Sequence, residues 1–185
     1  MEVKGEALHA LSTFVKEKYG DAGYTTFLEA LPPASKAIYS QTVLVSNWYS
    51  FNDGLKVPTA TISKVFANND PGIAREMGWY SADHGLKGVY RLLVKLGSPA
   101  MIAKRASSVF SNYYRPSVMV ADSITDKSAV LRITQFEEID PFMEQRIAGW
   151  VQRAIELCNC KNPKITLIKS MVRGDGETAY QVTWE

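Results

Sequence analysis

Histidine and cysteine are scarce in this chain, with two of each in 185 residues. The cysteines, Cys158 and Cys160, stand two apart at the end of one helical pattern, a spacing that disfavours a bond between them. Soft-metal chemistry therefore has few ligands to draw on. No H-E-x-x-H, paired C-x-x-C, phosphate-cradling glycine loop or nucleophile elbow occurs. Charge of one sign is also missing: the formal net charge is +2. That gives no electrostatic reason to expect a nucleic-acid partner. No apolar run approaches the roughly 18 residues a membrane span needs, so no membrane partner is expected. Residues 2–20 carry charges throughout and do not read as a secretory leader, so a soluble, cytoplasmic protein is expected.

What is present is an ordinary globular composition, 46% hydrophobic and 22% charged. It reads as one domain over 1–185, mostly helical over 1–116 and β-β-α-β-β over 117–185. A first helix is expected over 2–19, ended by Gly20, and a second over 24–31, stopped by Pro32-Pro33. A further turn is expected over 34–40, then a helix entered at Pro58 and running to about 68. A helical stretch follows to about 96. Its glycines, Gly78, Gly85 and Gly88, suggest a break near Ser81–Asp83, or close contact with another backbone or a ligand. Ser98-Pro99 caps the next helix, which runs to about 114. After Pro116 the period changes to two, and strands are expected over 117–122 and 129–135. Asp140-Pro141 opens a long amphipathic helix, with Ile139, Phe142, Met143, Ile147, Trp150, Val151, Ala154, Ile155 and Cys158 on one face. Strands over 164–172 and 177–184 close the chain around an Arg173-Gly174-Asp175-Gly176 turn, where glycine supplies positive φ. The expected class is α+β, with helices packed on a four-stranded antiparallel sheet.

Candidate sites are few. Aromatic residues concentrate in the segment 78–117. Trp79, Tyr80, Tyr90, Phe110, Tyr113 and Tyr114, with Val94 and with Ile147 and Trp150 of the long helix, could line an apolar ligand pocket. The same stripe could equally be plain core. His84 could serve as a haem axial ligand or a general base, or could be a surface histidine without a role. No acid–base or nucleophile set assembles around it, so no catalytic residues and no enzyme are expected.

Two stretches carry a resemblance. One has Tyr90-Arg91, Gly97-Ser98-Pro99 and Phe110-Ser111-Asn112-Tyr113-Tyr114. The other has Gly149-Trp150, Ala154-x-Glu156-Leu157, Arg173-Gly174-Asp175 and Val182-Thr183-Trp184. Together they resemble an uncharacterised bacterial family, expanded in myxobacteria and related to the haem-nitric-oxide-binding, 4-vinyl-reductase and TRAPP-like superfamily. The resemblance implies a ligand-sensing or scaffold domain, because members hold haem, apolar molecules or acyl chains, or serve in assembly. Two departures matter. The haem sensors' Tyr-x-Ser-x-Arg signature is missing, since Tyr114-Arg115-Pro116-Ser117 has the wrong spacing. The cysteines of vinyl-reductase-like domains are replaced by Ser170 or Met171 and by Ala179, which argues against a metal site. The expected function is a non-enzymatic small-molecule-binding or sensory domain with an apolar pocket. One alternative is a dimerisation or signalling-partner module with a solid core. The other is a haem-based gas sensor using His84. No cofactor is expected on the first two readings.

Overall fold

The computed structural model describes residues 1–86, 108–158 and 160–185. The N-terminal strand β1 (Glu2–Lys4) leads directly into α1 (Gly5–Ala30). Ala7, Leu8, Leu11, Phe14 and Val15 bury one face of α1. The helix kinks at Gly20, whose φ of 71° and ψ of −176° leave the helical region. Glycine tolerates this conformation because it has no Cβ. The kink falls where the sequence places the end of the first helix. Leu31 is extended ahead of Pro32, and α2 (Pro33–Tyr39) follows.

The first departure from the sequence reading is at the start. Glu2–Lys4 is strand rather than helix, because it pairs antiparallel on both edges. Its partners are β2 (Trp48–Ser50) and β3 (Tyr114–Arg115). Local periodicity cannot register pairings that distant. A π-helical turn (Asn52–Lys56) then runs into α3 (Val57–Phe66), where Pro58 occupies the tolerant first turn. The helix α4 (Gly72–Gly85) passes unbroken through Ser81–Asp83. Residues 108–113 are helical as expected.

The second sheet contains β4 (Val118–Asp122), β5 (Ser128–Gln135), β6 (Lys164–Lys169) and β7 (Thr178–Thr183), all antiparallel, in the order β4-β5-β7-β6. Between the two hairpins runs α5 (Pro141–Leu157). Asp140 caps α5 by accepting the Met143 amide at 2.7 Å. A short 3-10 turn (Met171–Arg173) and Gly174, at φ 92°, reverse the chain between β6 and β7. The Trp184 indole donates to the Asp126 carbonyl at 2.9 Å and fastens the last strand to the β4–β5 turn. The class is α+β, with N-terminal helices and a four-stranded antiparallel sheet in β-β-α-β-β order.

The helices α4 and α5 meet backbone to backbone. A Cβ on Gly78 would lie 1.8 Å from the Arg146 carbonyl oxygen, and one on Gly149 would lie 1.9 Å from that of Arg75. Gly78 thus serves close approach to another backbone, the alternative to a helix break. The other face of α5 is tied to the final hairpin through Glu144. Its carboxylate accepts from Ser170 Oγ at 3.0 Å and Thr178 Oγ1 at 2.9 Å, and its carbonyl accepts from the Tyr180 hydroxyl at 2.9 Å. No described helix is long and apolar enough to cross a membrane.

Candidate functional site

The proposed pocket residues separate into two places. Phe110, Tyr113, Tyr114 and Ile147 are buried in the main core, with Trp150 packed against it. Tyr114 is the hub of an aromatic group. Its ring centroid lies 5.0 Å from Phe110, 5.4 Å from Phe136 and 6.1 Å from Phe51. Phe51 and Phe136 meet edge to face at 5.1 Å. Tyr113 extends the group to Trp150 at 6.1 Å. These spacings are those of mutually attractive ring pairs. Phe51 and Phe136 lie outside the segment that the composition singled out, and only the fold brings them in.

Trp79 and Tyr80 lie elsewhere, in a surface groove of about 460 Å³ that also includes Phe14, Arg75, Glu76 and Gln152. The Trp79 indole N–H is committed to Glu156 Oε2 at 2.8 Å, and the Arg153 guanidinium covers its ring at 4.3 Å. Tyr80 meets Phe14 edge to face at 5.4 Å. Burial, with the Glu17 carboxylate nearby, pushes the Tyr80 phenol upward in pKa. Tyr90 and Val94 lie outside the described residues.

His84 is exposed on α4, its ring stacked on Tyr80 at 3.9 Å and its Nδ1 3.1 Å from the Tyr80 carbonyl. His9 is exposed as well. The Cys158 thiol donates to the Ala154 carbonyl at 2.9 Å, and burial pushes its pKa up to about 12. Haem needs an axial ligand, most often imidazole, thiolate or thioether. Neither imidazole faces the aromatic group, and the buried thiol is held neutral. The residues at hand therefore do not fit a haem ligated by histidine or cysteine. Among the described residues, no group of three His, Cys, Asp or Glu side chains could hold a metal.

The sequence reading missed Arg146. It is 2% exposed and sits on α5 among the largest fully buried side chains. Its Nη2 donates to the Ala7 carbonyl at a long 3.4 Å, while Nη1 has no hydrogen-bond partner among the described residues. Tyr114 and Tyr39 are the neighbours that act on its charge, and burial lowers its pKa. The Tyr39 hydroxyl is itself committed, donating to the Gly54 carbonyl at 2.6 Å. The signal for Arg146 was available: position 146 is three after Met143 and four before Trp150, on the apolar stripe of α5.

No family model matches the chain, and no curated protein matches it. Solved structures do. The fold is that of H-NOX proteins. An H-NOX protein from S. oneidensis in the Fe(II)NO ligation state superposes with a TM-score of 0.76 at 12% identity, covering 98% of this chain and 99% of that one. An unliganded Fe(II) H-NOX mutant from K. algicida gives 0.71 at 15% identity, covering 98% and 96%. A mutant of T. Tengcongensis H-NOX gives 0.66 at 10% identity, covering 98% and 97%. At 10–15% identity the likeness is one of fold, and the superfamily resemblance rests on the motifs quoted from the sequence. The narrower myxobacterial family rests on those motifs alone.

Proposed function

We propose that this chain is a non-enzymatic ligand-sensing domain whose ligand is an apolar small molecule received at the aromatic group around Tyr114. The observation that carries this reading is the end-to-end likeness to H-NOX structures, one of them described with Fe(II)NO. Phe110, Tyr113, Tyr114, Ile147 and Trp150 supply the apolar surface. Tyr90 and Val94 belong to the proposed set on sequence grounds. Trp79 and Tyr80, in the separate groove, form the periphery. Ligand binding shifts the helices relative to the sheet and so alters a partner surface. Gentle native mass spectrometry of the purified protein tests this, with an apolar adduct as the expected result. A ligand at about 100 times its dissociation constant adds about 2.7 kcal/mol of stability, which thermal unfolding detects. No adduct, together with no stabilisation by any apolar compound, overturns the reading.

The close ring contacts support a second reading, an interaction module with a solid core. A mass that rises with concentration in light scattering favours it. For the haem alternative the expected result is negative. The purified protein should show no Soret band, and added haemin should give His84→Ala and the parent the same spectrum. A Soret band abolished by His84→Ala restores His84 as axial ligand.

A further inference from the structure

Arg146 is a buried cation without a counter-charge. Arginine keeps its proton under all ordinary conditions, so it cannot escape burial by neutralising. Every Asp and Glu of the chain falls among the described residues, because 87–107 and 159 contain none. None of them pairs with Arg146. Glu144, two residues away on the same helix, has its oxygens taken by Ser170 and Thr178. Among the described residues, the guanidinium has one long bond to the Ala7 carbonyl, a hydrogen-bonding contact with the Tyr114 hydroxyl, the Tyr39 phenol beside it and an Nη1 without an acceptor. Phenols do not balance the charge, since burial holds Tyr39 and Tyr114 in their neutral forms. A planar fork of this kind is suited to a carboxylate, which it can grip through two parallel bonds. The apolar body attached to that carboxylate would meet Tyr114 and the rings packed on it, Phe51, Phe110 and Phe136.

We infer that Arg146 is the anchor for the carboxylate of an apolar monocarboxylic acid, of which medium-chain fatty acids are the simplest. This rests on the proposed ligand-sensing function and names its ligand class. The chain's own packing leaves a charge unpaired, and ligand entry parts the rings and pairs it. Because Arg146 lies on α5, Ala7 on α1 and Tyr39 on α2, the pairing event acts on three elements at once.

The test uses the full chain, with decanoate, decanol and acetate as probes, below the concentrations at which the long chains aggregate. Calorimetry counts sites, and thermal unfolding reads stabilisation. The expected result is one decanoate per chain, at least tenfold tighter than decanol, with acetate inert. Arg146→Met, close in volume, should unfold at a higher temperature without ligand and lose the preference for decanoate. Arg146→Lys, which keeps the charge without the fork, should retain part of that preference. Decanoate and decanol binding equally would overturn the anchor and leave the apolar-ligand reading standing. Neither binding would overturn the anchor, while the apolar-ligand reading falls only if no adduct is found and no other apolar compound stabilises the protein. A decanoate preference surviving in Arg146→Met would overturn the anchor by placing the acid elsewhere. The decanoate–decanol comparison in the parent protein decides the matter even if a variant fails to fold.

Discussion

Glu144 and Cys158 show how the chain handles reactive groups that it buries. Removing the Glu144 carboxylate strands the Ser170 and Thr178 hydroxyls in a buried site. An unsatisfied buried donor costs about 1–3 kcal/mol. Glu144→Ala should therefore lose about 3 kcal/mol or more in urea unfolding, while Glu144→Gln, which still accepts hydrogen bonds, should lose less. Cys158 should be inert to a thiol reagent at pH 8 in the folded protein, because its buried thiol titrates near 12. It should react fully in denaturant. Cys160 is only partly covered and should react first, which mass mapping of the modified sites can read. The burial of Cys158 was legible, since it ends the apolar stripe of the long helix, but the role of Glu144 was not. Glu144 occupies a helix position that composition alone assigns to solvent, and only the return of β7 supplies its partners.

Among the elements, α4 and α5 depend most on two residues. Gly78→Ala or Gly149→Ala would drive a methyl into a backbone carbonyl. Overpacking costs typically about 1–3 kcal/mol, and backbone cannot yield as a side-chain tip can, so the upper end of that range is expected from denaturant titration. The same substitution at Gly176 has open space around it and should change little. Most of the elements were legible beforehand. The Asp140 cap, the strands after Pro116 and the Gly174 turn all follow from neighbours in sequence. The strand at Glu2–Lys4 was not legible, because helical spacing at Val3, Ala7 and Leu11 continues through it and its partners lie far along the chain. The break expected at Ser81–Asp83 was inferred from glycine content. Gly78 instead serves close approach to another backbone, the other outcome the glycines suggested, with a partner no local window could name. The candidate site was half legible for the same reason. The aromatic segment was visible, but the fold splits Trp79 and Tyr80 from Tyr114 and adds Phe51, Phe136 and Arg146.

For the whole molecule, stability should respond to pH through groups that burial disturbs. Burial raises the pKa values of the Glu6 and Asp140 carboxyls above their ordinary ranges. A native value above the unfolded one means that the folded state prefers the proton. That contribution is fully present below the ordinary carboxylate range and is lost as pH rises through the native values. Glu6→Gln should therefore stabilise the protein at pH 7 relative to the parent, with the gain shrinking as pH falls through the raised native value and gone below about 4, where the parent is protonated in both states. Thermal unfolding across that range measures it. The small sheet sets a different constraint on the molecule. Its central strand β1 takes its second edge from β3, and Glu2 meets Arg115 across a separation of 113 residues. Contacts so distant in sequence form late and slow the search for the native state. A nascent chain that ends short of Tyr114 holds β1 with one edge open, able to pair with another chain. The helical half of this protein is thus complete only once the ribosome has passed well beyond it.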